Sequence, residues 1–397
     1  MQKNNRIELI DLIRGTALLG ILLMNIRLFS QPYAAYFNPL AYGDYQGINK
    51  LWWDLQYIVA DQKFMVIFSM LFGASTALVC DQYTKKQLNC GVMFGRRMAI
   101  LLAIGLIHSY IIWHGDILVS YAICSLFPFL FRNTHWHVSL VAGIICLLIG
   151  SAISYSSYLT ISVLPNHVQQ QIAQAFWSPN TATLDAEIVA FQGAWIDQFA
   201  TRIGMAFHFQ TESFINWGLW RISGLMLLGL TAYRGGFLTG QFSLTQYALI
   251  GIAASILGLI LICFGYHFNN IENWTFAASF FKNKLWNYWG SVLLALSYIC
   301  LLAIIQNKQY LTYLTSHLRN IGRTALSNYL LQSLMCTGII YGFKLFARLD
   351  AIQSGCLVLS VWLTQTIMTH YWLKYNSMGP VEGVWRKLTI TSLSANK

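Results

Sequence analysis

The chain has 397 residues, of which 56% are hydrophobic, 15% aromatic and 10% charged, and 25 Lys and Arg against 14 Asp and Glu give a net charge of +11. A soluble domain carries about 25% charged residues, so this composition excludes a disordered chain, a fibrous one and an ordinary cytosolic enzyme. It points to an all-α, polytopic transmembrane helical bundle. The basic surplus does not mark a nucleic-acid surface, because Lys and Arg fall in short clusters between apolar runs and form no continuous patch. Of the eight cysteines, most lie in or beside apolar runs and no two have C-x-x-C spacing, which argues against a structural metal or a disulfide scaffold.

In chain order, ten apolar runs are long enough to suggest spans, over roughly 8–29, 63–80, 97–113, 117–131, 138–157, 215–233, 244–265, 286–305, 324–345 and 354–373. The first lacks a small-residue cleavage site after it and is predicted to be a retained helix. Ten spans put Lys3, Arg6, Lys85, Lys86, Arg96, Arg97, Arg132, Arg234, Lys308, Arg319, Arg323, Lys374, Arg386, Lys387 and Lys397 on one side. By the positive-inside rule that side is the cytoplasm, with both termini inside. Lys282 and Lys284 fit this pattern less well. Segment 30–62 is too polar to span, but Tyr33, Tyr36, Tyr42, Tyr45, Trp52 and Trp53 suit a loop or re-entrant helix over the outer end. The organisation expected is a five-helix half over 1–157, an extracytoplasmic loop over 158–214 with one or two amphipathic helices, and a second five-helix half over 215–397.

Ionisable groups inside spans are costly and mark candidate sites. On the first helix, Asp11 and Arg14 are three residues apart and share a face. Asn25 lies eleven residues beyond Arg14, on the same face and roughly 16 Å further along. This face either carries a functional polar path or holds an interfacial ion pair and a packing amide. His108 sits deep in the third apolar run, where it either acts as a base or satisfies a neighbouring carbonyl. Asp116 either orients a histidine or caps the next helix; His114 is the more exposed of the two histidines by position. Lys63 either snorkels to the interface or meets an anionic substrate. Ser327, Asn328, Gln332 and Ser333 either bond helix to helix or line a wet cavity. Arg96, Arg97, Arg319, Arg323 and Arg386 would form a basic rim attractive to phosphates or to anionic lipid headgroups. No phosphate-binding Gly-rich loop, dinucleotide fingerprint, nucleophile elbow or H-E-x-x-H motif stands in a suitable context.

Asp11-x-x-Arg14-Gly15 with Asn25, Phe37-Asn38-Pro39, Lys63-Phe64, Phe72-Gly73, His108, Gly115-Asp116-Ile117-Leu118, the Gly322–Gln332 stretch and Gly379-Pro380-x-Glu382 together resemble the YeiB-like bacterial inner-membrane proteins. That family has been labelled a possible transport protein. More distantly, the first helix is similar to those of the transmembrane acyltransferase superfamily, including acyltransferase-3 proteins and heparan-glucosaminide N-acetyltransferases. The resemblance implies a multi-pass protein of the bacterial inner membrane. It also implies an O- or N-acyltransferase moving an acyl group from cytosolic acyl-CoA to a glycan or lipid-linked acceptor. Acyltransferase-3 proteins carry a histidine near the end of the first helix, where this chain has Asn25, and residues 26–62 contain none. His108 would then be the base, with Asn25 and Asp116 as the other catalytic residues. Asp11, Arg14, Arg96, Arg97, Arg323, Asn328 and Arg386 would hold acyl-CoA, with no metal. The alternatives are a secondary transporter or flippase and a non-catalytic membrane scaffold, with membrane lipids as partners in every case.

Overall fold

The computed structural model describes residues 7–390, and Lys3, Arg6 and Lys397 lie outside them. Among the described residues the chain is helical, without strands. The helices are α1 (Glu8–Ser30), α2 (Tyr33–Phe37), α3 (Gly47–Leu55), α4 (Lys63–Lys85), α5 (Cys90–Ile107), α6 (Leu118–Cys124), α7 (Leu126–Leu130), α8 (Trp136–Ser162) and α9 (Asn166–Phe176). They continue with α10 (Thr181–Gln192), α11 (Phe199–Gln210), α12 (Leu219–Arg234), α13 (Leu244–Ile271), α14 (Lys284–Asn307), α15 (Thr312–Arg323), α16 (Ala325–Ile340), α17 (Ala351–Tyr375) and α18 (Pro380–Ile390).

Among the described residues, seven helical runs are both long and apolar enough to cross a membrane, and shorter helices stand at the other three of the ten runs expected. Leu118–Leu130 and Ala325–Ile340 are apolar but shorter, and the expected span at 215–233 is α12 preceded by an irregular turn. A 13-residue helix reaches only about 20 Å, short of the hydrocarbon thickness. Leu118, Val119, Tyr121 and Ala122 are buried against other helices, so lipid does not set the length of α6. Burial ranks the spans: the apolar stretch of α1 is 67% buried, against 28% for those of α8, α13 and α17. The central helix α1 packs Leu9, Leu12 and Ile13 against Val66, Ile67 and Met70 of α4 and Ala295 and Ile299 of α14. The outer faces of α8 and α13 expose Val141, Ile145, Leu148, Leu249, Ile252 and Ile256, the apolar belt expected to face lipid.

Small residues bring backbones together. A Cβ on Gly15 would lie 1.9 Å from the Leu318 carbonyl oxygen, and one on Gly322 would lie 1.9 Å from that of Asp11. The α1–α15 crossing therefore closes on two glycines. Ser243 and Asp350 form capping boxes with Gln246 and Gln353, which fixes where α13 and α17 begin.

One end of the bundle gathers the described termini. Glu8 meets Arg319 at 3.4 Å, and the Trp385 indole of α18 donates to the Arg97 carbonyl at 2.8 Å. The opposite end is covered. Segment 30–62 folds as α2, α3 and a π-turn, and loop 158–214 carries three helices where one or two were expected, because breaks at 177–180 and 193–198 split the amphipathic stretch. Asn38 donates to the Trp177 carbonyl at 3.0 Å, and the Tyr33 amide donates to Glu187 at 2.8 Å, tying the two caps together. At this same end the helices carry four π-turns, at Gln56–Ala60, His108–Ile112, Phe214–Gly218 and Ala278–Asn283. Turns of this kind often sit at functional sites.

Candidate functional site

The third apolar run ends in a π-turn that begins at His108. The side chain of His108 is 1% exposed, and its Nδ1 lies 2.7 Å from Oδ1 of Asp116. The other Asp116 oxygen accepts from the Val119 amide at 2.9 Å. Asp116 thus does both things foreseen for it: it orients the histidine and caps α6. With Nδ1–H donating to the carboxylate, the lone pair sits on Nε2. Nε2 is buried and accepts no hydrogen bond among the described residues. The Tyr329 ring of α16 lies 5.2 Å from the imidazole, and its hydroxyl accepts from the Ile117 amide at 3.3 Å. Trp113 closes the other side, stacked on Phe29 of α1 at 3.9 Å.

His114 is buried rather than water-facing. Neither ring nitrogen has a partner among the described residues. Burial first, and the nearby Arg202 second, push its imidazole down to about 3, so it stays neutral. Arg202 itself donates to the Ile111 and Trp195 carbonyls at 2.7 and 3.0 Å and pins the end of the π-turn.

Asn25 is half-buried on α1. Leu18 packs in the cluster of Leu118 and Tyr329, and Leu22 and Phe29 pack in that of Trp113. Asn25 is seven, three and four residues from these, on the same helical face. Its amide makes no hydrogen bond among the described residues, and the end of α1 that carries it packs in the same cluster as Trp113.

The basic end assembles part of the expected rim. Arg14 meets Asp11 at 3.3 Å, Ser75 at 3.2 Å and the Gly322 carbonyl at 3.5 Å. The Arg97 guanidinium stacks on Trp385 at 3.6 Å and lies within electrostatic range of Arg14 and Arg386. Arg323 donates to the Ser377 carbonyl at 3.1 Å. Arg96 is half-buried and Arg386 exposed on neighbouring turns. Arg319 instead bonds Gln306 at 2.9 Å. Asn328 lies deeper, in a network with Thr324, Gln365 and Thr369 at 2.7–3.3 Å that also takes in Gln332. That network joins α16 to α17. Glu382 accepts from the Leu326 and Ser327 amides at 2.7 and 3.2 Å, which explains Gly379-Pro380-x-Glu382 as the clasp of α18 on the start of α16.

A second polar cluster escaped the sequence reading. Lys63 is fully buried and does not snorkel: its ammonium donates to the Tyr57 carbonyl at 2.7 Å and to Asn287 at 2.8 Å. Asn287 in turn donates to Asp61 at 2.6 Å. Arg27, Lys63, Arg221 and Lys284 all lie within electrostatic range of that one carboxylate. The signal available was Arg221 inside an apolar run and Lys284 on the side otherwise poor in basic residues. Among the described residues no three His, Cys, Asp or Glu side chains converge as a metal site, and the eight cysteines form no disulfide.

A bundle of apolar helices with polar groups enclosed in its interior defines a helical membrane protein. Residues 232–392 match the family described as Protein of unknown function (DUF418). The chain is 28% identical to "Uncharacterized protein YeiB" of Escherichia coli (strain K12), covering 96% of this chain and 95% of that one. It is 26% identical to "Uncharacterized protein YxaH" of Bacillus subtilis (strain 168), covering 98% and 95%. It is also 26% identical to an "Uncharacterized 39.9 kDa protein in amylase 3'region" of Bacillus acidopullulyticus, covering 97% and 94%. Over nearly its full length the chain is therefore similar to the YeiB-like proteins. No solved structure matches it.

Proposed function

We propose that the chain is a multi-pass membrane acyltransferase, with the basic end and both termini in the bacterial cytoplasm. It takes an acyl group from acyl-CoA at that end and passes it to a hydroxyl or amine of a glycan or lipid-linked acceptor at the His108 end. The observation that carries this reading is the buried His108–Asp116 pair, with Nδ1 held at 2.7 Å and Nε2 uncommitted. An imidazole oriented in this way is a general base.

His108 Nε2 accepts the acceptor's proton as its oxygen or nitrogen attacks the thioester carbonyl. The Asn25 amide donates to the oxyanion that develops. Asp116 holds the imidazolium. When the tetrahedral intermediate collapses, the carbon–sulfur bond breaks, and His108 returns its proton to the leaving thiolate. The products are the acylated acceptor and free CoA. Arg14, Arg97, Arg323 and Arg386 supply cationic contacts for the CoA phosphates, with Asp11 positioning Arg14 and Arg96 adding charge to the rim. The Arg14-to-Asn25 separation of roughly 16 Å along α1 is one that a pantetheine arm spans.

Purified protein is incubated with radiolabelled acetyl-CoA, and binding and acyl release are measured. Saturable binding is expected. Asp116→Asn and His108→Gln are expected to keep binding and lose turnover by about 10²-fold or more. No saturable binding, or turnover unchanged in His108→Gln, sinks the proposal.

A further inference from the structure

The cluster around Asp61 is built from elements other than those of the His108 pair, and its charges do not balance. One carboxylate faces Arg27, Lys63, Arg221 and Lys284. Asp61 and Lys63 are joined through Asn287, and Lys63 is completed by the Tyr57 carbonyl. The remaining cations both approach the Trp217 indole. The Arg221 guanidinium lies 5.9 Å and the Lys284 ammonium 5.4 Å from that ring. Arg221 is fully buried; one of its terminal nitrogens donates to Ser291 at 2.7 Å. The guanidinium also lies 3.9 Å from the Tyr288 ring, but its Nε and other terminal nitrogen have no hydrogen-bond acceptor among the described residues, and neither does the Trp217 indole nitrogen. Lys284 contributes an ammonium whose described contacts are the faces of Trp217 and Phe280.

A buried guanidinium with unmet donors is expensive, and inside a membrane such groups are paired. Arg221 stands on α12 and Lys284 at the start of α14, each just beyond a π-turn. Two cations and an indole N–H thus stand close together, a donor set suited to a tetrahedral oxyanion with several lone pairs. Exposed Ile215 and Trp286 lie beside the cluster in sequence and belong to the apolar belt, and Lys284 is only half-buried, so the site has an edge on the lipid side.

We propose that Arg221, Lys284 and Trp217 form a phosphate-binding site, distinct from the acyl-transfer site and independent of that reading. The phosphate is either the headgroup of an anionic lipid or a free phosphate, and both present the same oxyanion to these donors.

The full chain, purified in detergent, is titrated with inorganic phosphate, with dioleoyl-phosphatidylglycerol and with phosphate-free dioleoylglycerol. Melting temperature and bound mass in native mass spectrometry are followed. A saturable response to phosphatidylglycerol alone assigns a lipid headgroup, and a response to inorganic phosphate assigns a free anion. Arg221→Gln should abolish binding. Lys284→Gln, at a half-buried side chain whose described contacts are ring faces, should fold normally and bind about tenfold more weakly. Lys374→Gln at the basic end should respond like the wild type. The proposal is overturned if neither phosphate probe gives a saturable response. It is also overturned if dioleoylglycerol matches phosphatidylglycerol, or if Lys284→Gln binds as tightly as the wild type.

Discussion

Gly322→Ala should be among the most damaging single-methyl additions in the protein. The new Cβ would stand 1.9 Å from the Asp11 carbonyl oxygen and 2.9 Å from the Gly15 nitrogen, both backbone atoms that no rotamer change can move aside. Reaching even the closest tolerated contact, 3.0 Å, means that α1 and α15 part by about 1 Å. The central helix α1 is also held by α4, α14, α16 and α17, so it cannot withdraw without loosening those contacts. Overpacking of this kind costs about 1–3 kcal/mol, and a gap of this width removes about a quarter to a half of each dispersion contact along the seam. Gly15→Ala presses on the Leu318 carbonyl in the same way. Once either substitution has opened the crossing, the second Cβ finds room, so the double variant should cost clearly less than the sum. Equilibrium unfolding in mixed micelles with rising SDS measures all three variants. A loss under about 0.5 kcal/mol for either single substitution, or strict additivity in the double, would refute the account of the crossing.

Other expectations follow from individual contacts. Glu382→Gln removes the charge from a carboxylate that caps α16 through two backbone amides. Charge-assisted caps contribute about 1–2 kcal/mol, so α18 should become more susceptible to limited proteolysis while the remainder of the chain stays protected. Glu187 on the covering loop is pushed up to about 7, first by burial and against the hydrogen bond from the Tyr33 amide. The docked cap therefore holds a proton that the undocked cap releases. Docking is strongest below about pH 4.5, weakens as pH rises through 7 and is flat above that, by no more than about 3 kcal/mol. Proteolysis of 158–214 should be faster at pH 8 than at pH 5, and Glu187→Gln should abolish the difference. A rate in Glu187→Gln that still tracks pH would show that another group controls docking.

The helical architecture was legible because apolar runs and basic clusters both report on a membrane. The eight-residue spacing of His108 and Asp116 was enough to suspect a pair, since a short turn between two spans returns the chain to the same depth. Asn328 was equally visible but ambiguous: only the positions of Gln365 and Thr369 on another helix show that its amide is spent on packing. Arg221 was hidden for the same reason, because Ser291, Trp217 and Lys284 come together only through the crossing of α12 with α14. Lys63 misled by its position. A lysine at the start of an apolar run ordinarily reaches outward, and nothing local reveals that Asn287 and the Tyr57 carbonyl receive it inside. Helix lengths within the interior were also illegible, since a helix surrounded by helices need not match the bilayer.

The four π-turns have a consequence for how this chain can vary. Each contains one residue more than an α-helix would need, and each lies at the capped end. Deleting that residue would tighten the turn to regular winding, so the side chains in and beside it would change direction by up to about 100° while the flanking segments kept their register. Lys63, His108, Arg221 and Lys284 stand at or just beyond these turns, so a single-codon deletion there would re-aim a buried polar side chain while leaving the apolar seam at the basic end in register. The bundle thus joins a half that tolerates little change in length to a half where length itself sets which groups point inward.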